Sequence, residues 1–183
     1  FTITASAPGA GAYDMSGVMV DLMLSGEEYP SPFYLPYTLF AFDEYYNLWE
    51  SPSDFLKEEY ATLLPPLFDG THSSSEINAA MPAVPMEIMA PDVVDAFSKD
   101  ENHPLREALL DNDLYDWTPQ SPMRLYHSTG DDLVPVENSR LAYEAFQENG
   151  AIQVELFECD CGTHGEAAAI LLFLGFSWIE SLA

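Results

Sequence analysis

Hydrophobic and polar positions divide the chain into three stretches with different periodicities. Residues 1–14 open with a short apolar segment, FTITASA, which predicts a core strand that runs into a loop of small residues. Residues 15–119 carry apolar side chains at helical spacing in short segments. Residues 120–183 alternate between strand and helix patterns. The pattern therefore predicts a core that is interrupted by a long, mainly helical insertion.

The insertion predicts short helices rather than a regular bundle. Most of the 14 prolines lie in it and separate its helical patterns. Ser73 and Glu76 have the spacing of a capping box at the start of one helix. The segments with helical periodicity are VMVDLML, YLPYTLFAFDEYYNLW, DFLKEEYATLL, SSSEINAAM, PDVVDAFSK and PLREALL.

The last stretch predicts two further strands, each followed by a helix. MRLYHS and IQVELFE read as strands, VENSRLAYEAFQENG as a helix with an Asn-Gly stop, CDCGTHG as a loop and EAAAILLFLGFSWIESL as a terminal helix. This order is the repeating unit of a parallel sheet covered by helices. The predicted fold class is α/β, with three parallel strands.

The charge of the chain excludes two classes of partner. Asp and Glu number 31 against five Lys and Arg, which gives a formal net charge of −26. Such a surface repels nucleic acid and anionic membranes, and it is typical of proteins from salty environments, where salt screens the self-repulsion. The longest apolar run, AAAILLFLGFSWI, is too short for a membrane span and predicts a buried helix.

Two loops carry the candidate chemistry. HSTGDDLVP follows one predicted strand and CDCGTHG follows the next, and catalytic groups of open α/β sheets lie on such loops. One loop supplies the adjacent carboxylates Asp131 and Asp132, and the other supplies His164. A carboxylate at one strand end can orient an imidazole held at the next. The alternative is a turn in which the aspartates cap the following helix.

This order of acid loop, helix, strand, histidine loop and terminal helix resembles the C-terminal half of the α/β-hydrolase fold. The family's acid motif, H-G-x-x-D-x-x-V-P, overlays residues 127–135. The resemblance implies that Asp131 is the acid, with Asp132 as the fallback, and that His164 is the base. It also implies that residues 15–119 form a lid, that no cofactor or metal is used, and that secreted bacterial esterases and lipases are the most similar proteins.

The chain departs from this family in one respect, since no G-x-S-x-G pentapeptide occurs in it. The resemblance places the nucleophilic serine and the oxyanion loop upstream of FTITASA. Because the chain starts at Phe1, within a predicted strand, we expect a C-terminal piece of a longer secreted or periplasmic protein that is inactive alone. Its expected partner is the upstream half, or a second copy paired along the exposed edge of residues 1–7.

The implied function is the hydrolysis of carboxylic esters, on a small-molecule ester or lipid, by a Ser-His-Asp mechanism. Two alternatives stay open. One is a non-catalytic binding module that kept the scaffold without the nucleophile, and the other is a peptidase of the same fold.

For the other side chains that could carry chemistry, the sequence favours structural roles. Cys159, Cys161 and His164 supply at most three ligands of a zinc site, and a disulfide between cysteines two residues apart is strained. Each cysteine pairs instead with a partner in the missing half, or both are free thiols. The Asp-rich segment DNDLYD lacks the glycine and glutamate of a calcium loop. The serines and histidines to which we assign structural roles are Ser6, Ser16, Ser73, His72, His103 and His127.

Overall fold

The computed structural model describes residues 3–182, which divide into two compact units. One unit combines the beginning of the chain, up to Met19, with the part from Asn112 onward, and the other is Val20–Asp111. The helices are α1 (Val18–Leu24), α2 (Tyr34–Tyr46), α3 (Glu58–Leu63), α4 (Ser74–Ala79), α5 (Pro91–Lys99), α6 (Pro104–Leu110), α7 (Glu137–Glu148) and α8 (His164–Ser181). The strands are β1 (Met123–Ser128) and β2 (Val154–Cys159).

Strands β1 and β2 form a parallel pair at the centre of the first unit. Their register runs from Met123 opposite Val154 to Ser128 opposite Cys159, so both strands end at the same edge. Helix α7 connects the two strands, and α8 follows β2 after a short loop. The predicted strand–helix–strand–loop–helix order is confirmed, except that the last helix begins at His164 itself, which the sequence pattern had left in the loop.

The segment FTITASA is not a regular strand where it is described. Phe1 and Thr2 lie outside the described residues, and residues 3–5 have no strand structure. Parallel bridges nevertheless join Ser6 to Met123 and Gly9 to Tyr126. Pro8 lies between these bridges and has no N–H to donate, which explains why the pairing is interrupted.

The two faces of β1 serve two different cores. Because strand side chains alternate, Leu125 points to one face and Tyr126 to the other. The first core contains Met123, Leu125, Ala142, Phe146, Ala151 and Val154, and α7 covers it. The second contains Tyr126, Ala167, Leu171 and Trp178, and α8 covers it. The first unit is therefore a helix–sheet–helix sandwich.

In the second unit, prolines start helices rather than break them. Pro91 and Pro104 are the first residues of α5 and α6, where the missing N–H needs no partner and the fixed φ suits the helix. Short 3₁₀ helices start in the same way at Pro52, Pro65 and Pro85. The predicted capping box of α4 is confirmed.

The predicted helix DFLKEEYATLL is wrong in its first half. Pro52–Asp54 form a 3₁₀ turn, and Leu56 makes an antiparallel bridge with Met89 before α3 begins at Glu58. Leu56 is almost fully buried, and this local pairing overrides its helical spacing. Among residues 3–182, no helix is long and apolar enough to cross a membrane.

The charge imbalance predicts a salt-dependent stability. Raising NaCl from 0.1 M to 1 M shortens the screening length from about 10 Å to about 3 Å. Because the chain carries 31 acidic against five basic side chains, we expect the melting temperature to rise by at least about 3 °C. Differential scanning fluorimetry measures it. A rise that an equal concentration of sucrose reproduces would contradict charge screening as the cause.

Candidate active site

The first half of the site is the loop after β1, which holds Asp131. Its carboxylate oxygen Oδ1 accepts hydrogen bonds from the backbone N–H groups of Leu133, at 2.9 Å, and Val134, at 2.8 Å. The side chain is only 1% exposed. This Asx turn fixes one oxygen of the carboxylate on the loop and leaves the other, Oδ2, for a second partner.

The second half is the loop after β2, which ends in the first turn of α8. Thr163 is the N-cap of this helix and forms a capping box with Glu166. His164 follows as the first helical residue, and its side chain is 34% exposed. The transition from loop to helix at Thr163 therefore determines the main-chain position from which the imidazole of His164 projects.

The two halves meet in one hydrogen bond, between His164 Nδ1 and Asp131 Oδ2 at 2.8 Å. A carboxylate can only accept, so Nδ1 carries the proton and Nε2 has a free lone pair. Among residues 3–182, no side chain or backbone group hydrogen-bonds to Nε2. The arrangement can therefore take up a proton at Nε2 while the carboxylate stabilises the charge at Nδ1.

Asp132 holds a different part of His164. Its Oδ1 accepts the backbone N–H of His164 at 3.1 Å, which is one of the helix-start N–H groups that have no partner within the helix. The adjacent carboxylates thus have separate roles. Asp131 contacts the imidazole and Asp132 the main chain, so the geometry favours Asp131 over Asp132 as the acid.

Glycines and a serine bring the two loops together. Ser128 Oγ donates to the carbonyl of Gly162 at 2.5 Å, and the N–H of Thr129 donates to the carbonyl of Cys159 at 2.8 Å. A Cβ on Gly130 would lie 3.2 Å from the Gly162 carbonyl oxygen, and Gly162 itself has φ of +98°. A side chain at either position would push the loops apart or strain the backbone.

The two cysteines beside the site are bonded to each other. Cys159 and Cys161 form a disulfide with each other, so the alternatives of free thiols or of partners elsewhere in the protein were wrong. Their sulfurs are consumed by this bond, and the sequence-level idea of a Cys–Cys–His metal site loses two of its three ligands. No group of three potential metal ligands occurs within residues 3–182.

The three serines to which we assign structural roles lie in other parts of the fold. Ser73 caps α4, and Ser16 Oγ donates to Asp113 Oδ2 at 2.6 Å. Ser6 is paired with the first residue of β1, at the opposite end of the strand from the Asp131 loop. In the described part of the chain, none of the three hydrogen-bonds to His164.

Two of the remaining histidines have local roles. His103 caps α6 by accepting the N–H of Leu105 at its Nδ1, and burial lowers its pKa. His72 contacts Asp69 on the surface. His127 is different, because its Nε2 lies 3.4 Å from Asp131 Oδ2. Its position at the end of a strand gave no sign of this proximity.

Comparison with known proteins finds a matching family model and similar solved structures. The family model of secretory lipases matches residues 76–181. A protein of Legionella pneumophila that is provisionally classed as a hydrolase superimposes with a TM-score of 0.86 and 25% identity, over 98% of this chain and 48% of that one. The rice cell wall degrading esterase LipA of Xanthomonas oryzae gives a TM-score of 0.78 and 26% identity, over 96% and 48%. No curated protein matches in sequence. The chain spans about half the length of these solved structures.

The role of Asp132 as a main-chain acceptor is testable by amide exchange. Asp132→Ala removes the acceptor, and a hydrogen bond of roughly 0.5–1.5 kcal/mol corresponds to about 2-fold to 13-fold faster exchange of the His164 amide. Asp132→Asn is the matched control, because its amide oxygen can still accept. NMR-detected exchange measures both. Equal protection of the His164 amide in the alanine variant and the wild type would contradict this role.

Proposed function

The chain belongs to the secretory lipase family, and we propose from this that it is part of a serine hydrolase that cleaves carboxylic esters. The predicted α/β class and the resemblance to the C-terminal half of an α/β-hydrolase are confirmed by the family match and by the two superimposed structures. One of these structures is an esterase by name. The proposal extends this chemistry to the present chain.

The observation that carries the proposal is the 2.8 Å contact between Asp131 Oδ2 and His164 Nδ1, with Nε2 of His164 open. In the proposed mechanism a serine on an upstream segment attacks the ester carbonyl. His164 accepts the serine proton at Nε2 and passes it to the leaving alcohol, and Asp131 keeps the proton on Nδ1 and stabilises the charged ring. Upstream backbone N–H groups stabilise the oxyanion. This route uses no metal or organic cofactor.

Two unpaired surfaces support an upstream segment as the partner. Residues 6–10 pair with β1 on one side, and no described residue pairs with their other side. The middle of α8, residues 167–176, is apolar around its whole circumference, which is typical of a helix buried on all sides. It buries Leu171 and Trp178, yet Leu172, Phe173 and Phe176 are 73%, 69% and 61% exposed. A second copy along the same edge is the other proposed occupant.

The proposal also assigns a role to the second unit and a location to the protein. Val20–Asp111 lies within the stretch expected to be a lid, and we assign it that role over a small-molecule ester or lipid. Its surface carries exposed aromatic rings at Tyr34, Tyr37 and Tyr45. We also propose a secreted or periplasmic location, which the family's description as secretory supports.

Ester hydrolysis tests the proposed function. The chain alone should hydrolyse p-nitrophenyl esters no faster than background, and joining it to the upstream segment of its gene should produce turnover. Asp131→Asn and His164→Ala should each then lower kcat by about 10⁴-fold, because the base loses its orientation or is absent.

Asp132→Asn is the matched control for the acid, and it should lower kcat by no more than about tenfold. If Asp132→Asn is the damaging change and Asp131→Asn is mild, the acid assignment is wrong. Robust turnover by the chain alone that depends on Ser6, Ser16 or Ser73 would contradict the upstream serine. A gene that starts at Phe1 would favour the binding module, and cleavage of peptides but not esters would favour the peptidase.

Association tests the proposed partner. We expect the 183-residue chain on its own to sediment as a dimer or larger species in analytical ultracentrifugation, because an unpaired strand edge and an apolar helix face favour association. Phe173→Ser and Phe176→Ser together should weaken the association. Joining the upstream segment should abolish it. A dilute, stable monomer with protected amides along residues 3–7 would contradict the proposal.

A further inference from the structure

His127 is a fully buried histidine directly behind the acid. It is the second-last residue of β1, and none of its side chain is exposed. Its Nδ1 lies 2.7 Å from the hydroxyl of Ser139 on α7, and its Nε2 lies 2.9 Å from the carbonyl oxygen of Val134. The same Nε2 is 3.4 Å from Oδ2 of Asp131. The ring therefore joins the strand, the acid loop and the helix.

These partners determine the tautomer of His127. A carbonyl oxygen can only accept, so Nε2 carries the proton, and Nδ1 then accepts the hydrogen of Ser139 Oγ. Oδ2 of Asp131 consequently accepts the Nδ1–H of His164 at 2.8 Å and lies 3.4 Å from the protonated Nε2 of His127, whose hydrogen bond goes to Val134. The main chain of Val134 is also held from both sides. The N–H of Val134 donates to Asp131 Oδ1, and the carbonyl of Val134 accepts from His127.

His127 must be neutral to act in this way. Burial lowers the pKa of His127 below its ordinary value, although the Val134 carbonyl and the charges of Asp131 and Glu137 oppose the shift and a charged His164 reinforces it. Glu158 on β2 is the other nearby carboxylate, and it is paired with Arg140. A cationic His127 would compete with His164 for the charge of Asp131. A neutral ring supplies an N–H without competing.

We propose that His127 is a positioning residue that holds Oδ2 of Asp131 toward His164, with the Val134 carbonyl setting its tautomer. This inference rests on the proposed function of Asp131 and His164 as acid and base. The alternative is a buried histidine that only fills the core between β1 and α7.

The enzymatic test uses the chain joined to its upstream segment. His127→Leu preserves volume but has no donor, whereas His127→Gln keeps an amide N–H near the position of Nε2. Per titrated active site, we expect His127→Leu to lower kcat about tenfold with KM unchanged, and to move the acid limb of kcat/KM to lower pH. The limb moves because a displaced Asp131 stabilises the protonated imidazole less. His127→Gln should restore most of both effects.

The matched control is His103→Leu, which removes another buried histidine that caps α6. It should lower the melting temperature without moving the acid limb. If His127→Leu likewise lowers only the melting temperature, with wild-type kcat per site and an unmoved limb, His127 only fills the core and the proposal is overturned.

A second readout does not depend on turnover and separates the two proposals. ¹⁵N NMR of the wild type should show His127 as the neutral Nε2–H tautomer at pH 7 and above, and Ser139→Ala should keep this tautomer, because the Val134 carbonyl still accepts from Nε2. The hydrogen-bonded Nδ1–H resonance of His164 should shift upfield in His127→Leu. A cationic His127 or an unchanged His164 resonance overturns the positioning role. A wild type without esterase activity but with these NMR signatures overturns only the proposed function.

Discussion

The in-register parallel pairing of β1 and β2 is the constraint on which the site depends. Parallel strands end at the same edge of a sheet, and here Ser128 lies opposite Cys159, so the loops that follow begin side by side. A slip of one residue would turn the strand side chains to the opposite face and separate the loops. The register is held by two apolar cores, one on each face of β1, which a slipped strand could not fill.

The acid loop also shows how a buried carboxylate is supplied with hydrogen-bond donors. An ionised Asp inside a protein is costly unless its oxygens are hydrogen-bonded. Asp131 meets this requirement with two backbone N–H groups on Oδ1 and with the Nδ1–H of His164 on Oδ2, and the neutral ring of His127 lies 3.4 Å from Oδ2. Asp132 is exposed and holds only the main chain of His164. Two neighbouring carboxylates thus do different work because one side chain points inward and the other outward.

Within residues 3–182, the first unit leaves one strand edge unpaired and one apolar helix face exposed. Residues 6–10 are paired on one side, and α8 exposes Leu172, Phe173 and Phe176 although its opposite side is buried. The matched structures are about twice as long as this chain, which agrees with these open surfaces. High negative charge opposes association, but at physiological salt the repulsion extends only about 8 Å. Apolar contact and strand pairing act at shorter range than this.

The sequence by itself determined the order of elements around the site and the two loops that carry the proposed acid–base pair. Strands MRLYHS and IQVELFE and helices such as PLREALL were readable because their periodicity is local and agrees with the packing. The sequence could not determine which aspartate meets His164, because adjacent residues differ only in side-chain direction after folding. It also could not show that His127 lies behind Asp131, that Leu56 pairs with Met89, or that Cys159 bonds Cys161. Those contacts were decided by the tertiary structure, because burial and loop conformation set the distances between groups whose spacing along the chain is compatible with several arrangements.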